Sequence, residues 1–240
     1  SRYTNTLLQS TLTYDKFIGN HDINAVAGAS FEKTKNSYVK VWGEGFFNDV
    51  LTNVSSATIF TDASAYETGS GLASYFGRVN YGYDSRYLLT LSARVDGSSK
   101  FAKDNQYAFF PAAALAWRVS NESFLENSKV IDDLKFRASI GTTGQQDFGD
   151  YAWRTLFETA DYGPDPSIIV TQLGNDKLKW ETTDQLDLGV DFSLFNGRLS
   201  GGVGYYTKTT KDALFTAITP GSTGYSTIIA NIGNTENKGV

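Results

Sequence analysis

Three stretches of this chain gather the side chains that carry chemistry. In SARVDGSSKF, residues 92–101, Arg94 and Asp96 stand two apart with Lys100 close behind. A guanidinium, a carboxylate and an ammonium so close invite an acid–base reading. On an extended strand, however, residues two apart share a face, and charge compensation is the ordinary outcome. The segment 142–178 sets Tyr151, Trp153, Phe157 and Tyr162 among Asp147, Asp150, Asp161 and Asp165. Aromatic rings flanked by acids suit stacking on sugars, and carboxylate oxygens suit a hard cation such as Ca²⁺, although no EF-hand spacing is present. Tyr151, Trp153, Asp161 and Tyr162 are the candidates for ligand contact, and Trp42, Phe46, Phe47 and Tyr66 in 35–71 raise the same possibilities. The third stretch, WETTDQLDLGVDF at 180–192, places Glu181, Asp187 and Asp191 on one strand parity.

Absences narrow the chemistry further. The chain has no cysteine and a single histidine, His21, which stands in a short turn beside Asp22 and is expected to be solvated. Thiolate metal sites, cysteine nucleophiles, His-based zinc sites and Ser-His-Asp triads therefore cannot be built from it. GSG at 69–71 and GGVG at 201–204 match neither dinucleotide nor P-loop spacing, and the second sits inside a strand pattern. Gly201, Gly202 and Gly204 read as relief for neighbouring side chains. No catalytic residue, metal or cofactor is expected. A formal charge of −5 and a pI near 4.9 give no support to nucleic-acid binding.

The elements that must position these groups read as β-strands. Aromatic residues make 14% of the chain and glycine supplies 23 positions, a balance that favours strands and turns over long helices. No apolar run reaches the roughly 20 residues of a membrane helix, which says nothing against a β-barrel. Nine strands are expected, at 2–14, 22–34, 72–83, 86–96, 106–119, 133–141, 179–194, 198–210 and 225–240. Short connections at 17–21, 84–85 and 195–197 alternate with long ones at 35–71, 97–105, 142–178 and 211–224. Asn196-Gly197 is the dipeptide of a tight primed turn. The exception is 120–132, where a short helical turn capped by Ser120 or Asn121 is expected. The chain starts at Ser1 and stops just after a strand-like stretch, and is read as an internal piece of something larger.

The strand at 180–194 is two-faced. Trp180, Leu186, Leu188, Val190, Phe192 and Leu194 share one parity; Glu181, Gln185, Asp187, Asp191 and Ser193 share the other. Fifteen residues extend roughly 50 Å, beyond the 3–10 residues of common globular strands. Trp180, Tyr205, Tyr206, Tyr83, Tyr87, Tyr107 and Trp117 fall near strand ends, where an interfacial girdle would put them. Glu181, Asp187, Asp191, Arg94 and Arg137 would then line a wet interior. The alternative is a soluble β-sandwich, a surface-attached binding or structural module, with the apolar parity buried against a second sheet.

Four runs resemble a specific family. LASYFGRVNYGYDSRYLLTLSARVDGSSKFAKDNQYAFFPAAALAWRVSNESFL at 72–125, DDLKFRASIGTTGQ at 132–145, LKWETTDQLDLGVDFSLFNGRLSGGVGYYTKTTKD at 178–212 and NIGNTENKGV at 231–240 are similar, in order and spacing, to the barrel of SusC/RagA-type TonB-linked outer-membrane proteins. The resemblance implies an all-β, antiparallel transmembrane barrel segment, about nine strands of a barrel of about 22. It implies residues 1–240 as a partial barrel, with no plug domain and no C-terminal closing strand in this chain. It further implies a non-enzymatic importer of oligosaccharides or peptides in the outer membrane. The implied partners are a SusD-like surface lipoprotein, TonB through regions missing from this chain, and outer-membrane lipid. The Asn196-Gly197 turn would face the periplasm.

Overall fold

The computed structural model describes residues 1–126, 128–162 and 165–240, and the side chains of residues 161 and 162 lie outside that description. Thirteen strands form among the described residues: β1 (Arg2–Ile18), β2 (His21–Glu44), β3 (Ile59–Tyr83), β4 (Tyr87–Ser98), β5 (Tyr107–Arg118), β6 (Ile131–Gln145), β7 (Leu156–Tyr162), β8 (Asp165–Gln172), β9 (Glu181–Leu194), β10 (Leu199–Lys211), β11 (Leu214–Ile218), β12 (Thr227–Asn231) and β13 (Thr235–Gly239). Nine of them make one open antiparallel sheet in the order β1-β2-β3-β4-β5-β6-β9-β10-β13. The pairs β7–β8 and β11–β12 are separate two-stranded sheets inserted between main strands. The structure is all-β, and the sheet does not close.

Several boundaries differ from the sequence reading, each for a local reason. Residues 35–71, expected to be a loop, are largely strand, because β2 and β3 stay paired from His21 against Tyr83 out to Glu44 against Ile59. Alternating Tyr38, Lys40 and Trp42 meet Tyr66, Ser64 and Asp62, and Tyr38 stacks on Tyr66 at 5.0 Å. The run 225–240 is not one strand. Gly233, at φ 85°, bends the chain, so that β12 pairs with β11 while β13 returns to β10. The helical turn at 120–132 shrinks to a 3₁₀ turn at Val119–Asn121 without a side-chain cap, and Ser120 donates its hydroxyl to Asp133 instead. The tight turns form as expected: Asp84 and Ser85 take φ 51° and 53°, and Phe195, Asn196 and Gly197 take 59°, 58° and 76°.

Register assigns every side chain to a face, since directly paired residues point the same way. One row crosses all nine strands: Asp15, Asn24, Asn80, Thr90, Ala114, Ser139, Asp187, Tyr206 and Gly239. Within it Thr90 Oγ1 donates to Asn80 Oδ1 at 2.9 Å, Asn80 Nδ2 donates to Asn24 Oδ1 at 3.0 Å, and Asn24 donates to Asp15. This is the polar face. On the other face a row of Ile18, His21, Tyr83, Tyr87, Trp117, Phe136, Val190 and Val203 crosses eight strands. Its rings touch in sequence: Tyr83–Tyr87 and Tyr87–Trp117 at 6.4 Å, Trp117–Phe136 at 6.2 Å.

The apolar face is uncovered. Leu12 is 76% exposed, Leu115 60% and Leu188 45%, with no second sheet packed over them among the described residues. The apolar band is also staggered against the hydrogen bonds. Its last apolar member on β9, Leu186, is in register through Ile140, Ala113, Leu91 and Val79 with Ala25 of β2. On β2 the band continues six residues further, to Phe31, after five strand-to-strand steps. A slip of about 1.2 residues per strand, at about 3.3 Å per residue and about 4.8 Å between strands, inclines the strands by about 40° to the normal of the band.

The compact core lies on the polar side, under the long connections. Phe101 and Leu178 are fully buried and cluster with Phe110, Ala152 and Trp180. Burying such side chains stabilises by about 1.5–3 kcal/mol each. Trp180 was expected in an outer girdle, but β9 begins at Glu181 and its parity does not reach back to Trp180. The indole instead packs 5.0 Å from Phe101 and donates to the Gln106 carbonyl at 2.9 Å. Tyr206 also leaves the girdle, because it pairs with Asp187 on the polar face while Tyr205 pairs with Leu188 on the apolar one.

Glu122, in the connection after β5, anchors the aromatic row. It accepts from the Tyr87 hydroxyl at 2.7 Å, the Trp117 indole at 3.0 Å and Arg86 Nη1 at 3.3 Å. The Trp117 and Tyr87 hydrogen bonds, with the Arg86 charge, hold its carboxyl below the usual glutamate range. A depressed carboxylate stabilises above its unfolded pKa and loses that contribution as pH falls through the folded one. Glu122→Gln is therefore expected to lower the melting temperature of the full-length protein at pH 7, and that difference is expected to shrink as pH is lowered below the usual glutamate range. A difference that stays the same as the pH is lowered contradicts the anchor.

Candidate functional site

The polar face collects the charged residues singled out in the sequence. Arg94, Arg137, Glu181, Asp187 and Asp191 all share the parity of the nine-strand polar row. None forms a nucleophile–base pair. Arg94 Nε donates to both Asp96 oxygens at 2.7 and 2.8 Å, and Arg94 Nη2 donates to Ser74 Oγ at 2.8 Å. Ser74 and Asp96 are buried, so the pair is a held charge rather than a free acid or base. The guanidinium lies 5.8 Å from the Phe76 ring, and Phe76 is directly opposite Gly28.

Asp191 takes Lys135 Nζ at 3.2 Å and Arg137 Nε at 3.4 Å. Arg137 reaches that carboxylate across Gly189, where a Cβ would meet its guanidinium carbon at 2.6 Å. A Cβ at Gly204 would lie 3.6 Å from Arg137 Nη2 and one at Gly202 3.0 Å from Asp191 Oδ1, so both glycines leave room for this cluster. Asp187 accepts from Gln185 Nε2 at 3.0 Å. Glu181 accepts the Leu214 backbone N–H at 2.9 Å and so ties β11 to the start of β9. The arrangement is a polar face on which Arg94, Arg137 and Asp191 are ion-paired and Glu181 and Asp187 accept from neutral donors.

The loop candidates are brought only partly together. Trp153 is half-buried against the core, donates its indole N–H to the Ser99 carbonyl at 3.2 Å, and carries Arg154 over its ring at 4.4 Å. One ring face is thus occupied by a cation. Tyr151 adopts φ 62°, and its carbonyl accepts Arg154 N at 2.8 Å and Gln172 Nε2 at 3.0 Å. Asp161 and Tyr162 close the β7–β8 hairpin, and their side chains lie outside the described residues. YAWRTLF at 151–157 splits accordingly, into a turn followed by the start of β7. Among the described residues no group of three or more His, Asp or Glu converges as a metal site.

Sequence reasoning missed several positions. Asp184 lies on the apolar parity of β9, yet accepts from Thr142 Oγ1 at 2.7 Å and from Lys211 Nζ at 2.8 Å, marking where the apolar band ends on that side. The signal was present, since Asp184 is the one acid breaking the even-numbered apolar run. Lys211 completes it through register with Thr182, which sequence alone does not give. His21 is not merely solvated: its Nδ1 lies 2.7 Å from the Tyr81 hydroxyl and its ring 5.0 Å from Tyr83.

The sheet is up-and-down and antiparallel, with one polar face and one exposed apolar face, a pattern shared with the strand arrays of membrane β-barrels. The comparisons with known proteins agree. The family described as TonB dependent receptor-like, beta-barrel, matches residues 1–240. The chain is 41% identical over 242 residues to TonB-dependent receptor P3 of Formosa agariphila, covering 98% of this chain and 24% of that protein. It is 36% identical over 237 residues to TonB-dependent receptor SusC of Bacteroides thetaiotaomicron, covering 95% and 23%. The solved RagAB peptide transporter superposes with a TM-score of 0.91 at 26% identity, covering 98% of this chain and 27% of that one. The siderophore receptor PirA from Pseudomonas aeruginosa shares the fold alone, with a TM-score of 0.62 at 14% identity.

The chain belongs to the TonB-dependent receptor family, in its SusC/RagA-type branch. It is an outer-membrane protein of a transport family, and not an enzyme. It spans about a quarter of the length of the curated relatives it matches.

The Arg94 cluster yields a test of the polar wall. At Gly28 a Cβ would come 2.6 Å from Phe76 Cζ and 2.8 Å from the Ser10 carbonyl oxygen. Gly28→Val is expected to push Phe76 off its seat beneath Arg94 and destabilise the full-length protein by about 1–3 kcal/mol. Gly149→Ala, where a Cβ would meet nothing within 4 Å, serves as the comparison. Equal unfolding temperatures for Gly28→Val and wild type would show that the seat is not tight.

Proposed function

We propose that residues 1–240 form part of the wall and extracellular loops of a barrel of about 22 strands, in an importer of large nutrients, oligosaccharides or peptides. The observation that carries this reading is the uncovered apolar band opposite a continuous polar face. A soluble sandwich would bury Leu188 against a second sheet, whereas Leu188 is 45% exposed. On β5 the band runs from Trp117 to Tyr107, ten residues or about 33 Å along the strand. At an inclination of about 40° that is about 25 Å of membrane height, the depth of an outer-membrane barrel's apolar belt. Leu186, Leu188, Val190 and Phe192 then face lipid. Glu181, Asp187, Asp191, Arg94 and Arg137 face the lumen; Arg94 is paired with Asp96 and Arg137 with Asp191, while Glu181 and Asp187 are held by neutral donors.

The short turns at Asp84-Ser85 and Phe195–Gly197 are periplasmic, and the β7–β8 and β11–β12 excursions are extracellular. Trp153, Tyr151, Asp161 and Tyr162 contact cargo from that side. A plug domain, the TonB contact and the closing strand are supplied by regions outside this chain. A SusD-like surface lipoprotein lids the assembly. Peptide cargo is supported by the likeness to the RagAB peptide transporter, and oligosaccharide cargo is what the sequence resemblance implies. Nucleic acid is not a partner.

The test is uptake by the full-length protein in a deletion strain, with and without its lipoprotein partner, on oligosaccharides and on peptides. Growth restored on one class, and lost again without the partner, is expected. Trp153→Ala, at unchanged outer-membrane abundance, is expected to raise the half-saturating cargo concentration about tenfold, in line with the loss of one aromatic stacking contact. Growth of the deletion strain that does not depend on cargo class contradicts the importer reading.

A further inference from the structure

At the upper end of β1–β3 the chemistry of the apolar face changes within one residue pair. Leu8 and Phe31 are directly opposed and end the apolar run. On the same face Lys33 follows opposite Thr6, then Lys35 opposite Thr4, then Arg2 opposite Ser37. All three cations are exposed. On their other side, β3 sets Gly71 against Lys33 and Gly69 against Lys35, so no β3 side chain covers the lysine stems. Glu67 pairs with Lys35 at 2.9 Å, while Lys33 and Arg2 have no ion-pair partner among the described residues.

Two grooves lie along β2 near this boundary, the lower ending at Ala27 and the upper beginning at Phe31. The upper, of about 770 Å³, is lined by Phe31, Lys33, Lys35, Glu67, Gly97 and Tyr107. The lower, of about 790 Å³, is lined almost wholly by apolar atoms, with Ala25, Ala27, Gly77 and Ala93 as its floor and Leu12 and Ile140 among its borders. Ala27 and Lys33 are six residues apart on β2, about 20 Å along the strand and about 15 Å in height at the inclination found above. That is the reach of one medium-length acyl chain. The lower groove lies within the apolar band, where an aqueous protein partner cannot enter. Glu32 also lines the upper groove, but it lies on the polar parity of β2, where it accepts from Asn5. On the apolar face Lys33, Lys35 and Arg2 stand against Glu67 alone, a net positive charge for an anion, and ammonium groups are good point-charge partners of phosphate.

We propose that these grooves form one binding site for an acylated, phosphate-bearing lipid of the outer leaflet. The phosphate is held by Lys33 and Lys35 with Arg2 nearby, and one acyl chain lies over Ala27 and Gly77. This site rests on the wall reading given above, because it requires the apolar face to meet lipid. The lipid would fix the height of the β2–β3 ribbon, whose outer part leaves the membrane at this boundary.

The full-length receptor, stripped of lipid in detergent, is mixed with lipid A, with the same glycolipid after enzymatic removal of its phosphates, or with inorganic phosphate alone. Retained lipid is read by native mass spectrometry. Phosphorylated lipid is expected to bind about tenfold or more tightly than the dephosphorylated form. Lys33→Gln with Lys35→Gln is expected to abolish that preference, each cation near a membrane surface contributing about a fivefold effect. Lys33→Arg with Lys35→Arg should keep it. Lys16→Gln, at the opposite edge of the same face, should leave it unchanged. Ala27→Phe, which fills the lower groove, should weaken both glycolipids. Equal binding of the two glycolipids, or full displacement by millimolar inorganic phosphate, overturns the proposal. A spin label at Leu12→Cys separates the two readings. Relaxation by a lipid-soluble agent with no lipid A retained overturns this site alone, and no relaxation overturns the wall reading with it.

Discussion

In hydrocarbon every peptide N–H and C=O must find its partner within the protein, because an unpaired group costs several kcal/mol and no water is present to relieve it. The main sheet is built to suit that constraint, each strand pairing with its sheet neighbour, over 24 residue pairs between β2 and β3, 12 between β3 and β4 and 11 between β4 and β5. Once pairing is continuous, register is fixed, and register decides which side chains face which medium. The polar row from Asp15 to Asp187 and the aromatic row from His21 to Phe136 are two readings of the same ladder, one from each side. β1 and β13 are the edges of this sheet, and in the proposed wall their outer backbone groups would pair with neighbouring strands.

Packing in such a wall differs from that of a globular domain. The buried cluster around Phe101, Leu178 and Trp180 sits under the long connections, at one end of the polar side. Elsewhere the sheet is one layer thick, and cohesion comes from cross-strand contacts. Glycine opposite an aromatic ring recurs: Gly28 with Phe76, Gly97 with Tyr107, Gly201 with Phe192 and Gly239 with Tyr206. Each ring lies over the bare backbone of its partner and covers strand that no side chain would shield. On the polar side, charges are disposed in pairs, so a lumen can carry Arg94, Asp96, Lys135, Arg137 and Asp191 without a large field of one sign.

Much of this was legible in the sequence. Period-two alternation located the cores of β4, β9 and β10, and the parity of 180–194 separated Asp187 from Leu188 before any coordinate. The Asp84-Ser85 and Asn196-Gly197 turns were readable because positive φ favours Asn, Asp and Gly. What escaped was non-local. The outward extension of β2 and β3 depends on Tyr38 meeting Tyr66, a pairing 28 residues apart that period alone does not announce. Trp180 and Tyr206 were misassigned because parity was carried past a strand end in one case and adjacent tyrosines were not separated in the other. Glu122 and Asp184 gained their roles from partners on other strands. The loop candidates gained least, since no local pattern distinguishes a cargo contact from a packed turn.

The account stands on the claim that the Leu188 face meets lipid and the Asp187 face meets water. Residues 1–240 contain no native cysteine, so single cysteines placed from 185 to 191 in the full-length protein in outer membranes report each side chain in turn. Positions 185, 187 and 191 are predicted to react with a water-soluble maleimide once the lumen is open to it, whereas 186, 188 and 190 stay unreactive and, spin-labelled, respond to a lipid-dissolved relaxing agent. Equal aqueous reactivity at 187 and 188, or lipid contact on the odd positions, would contradict it.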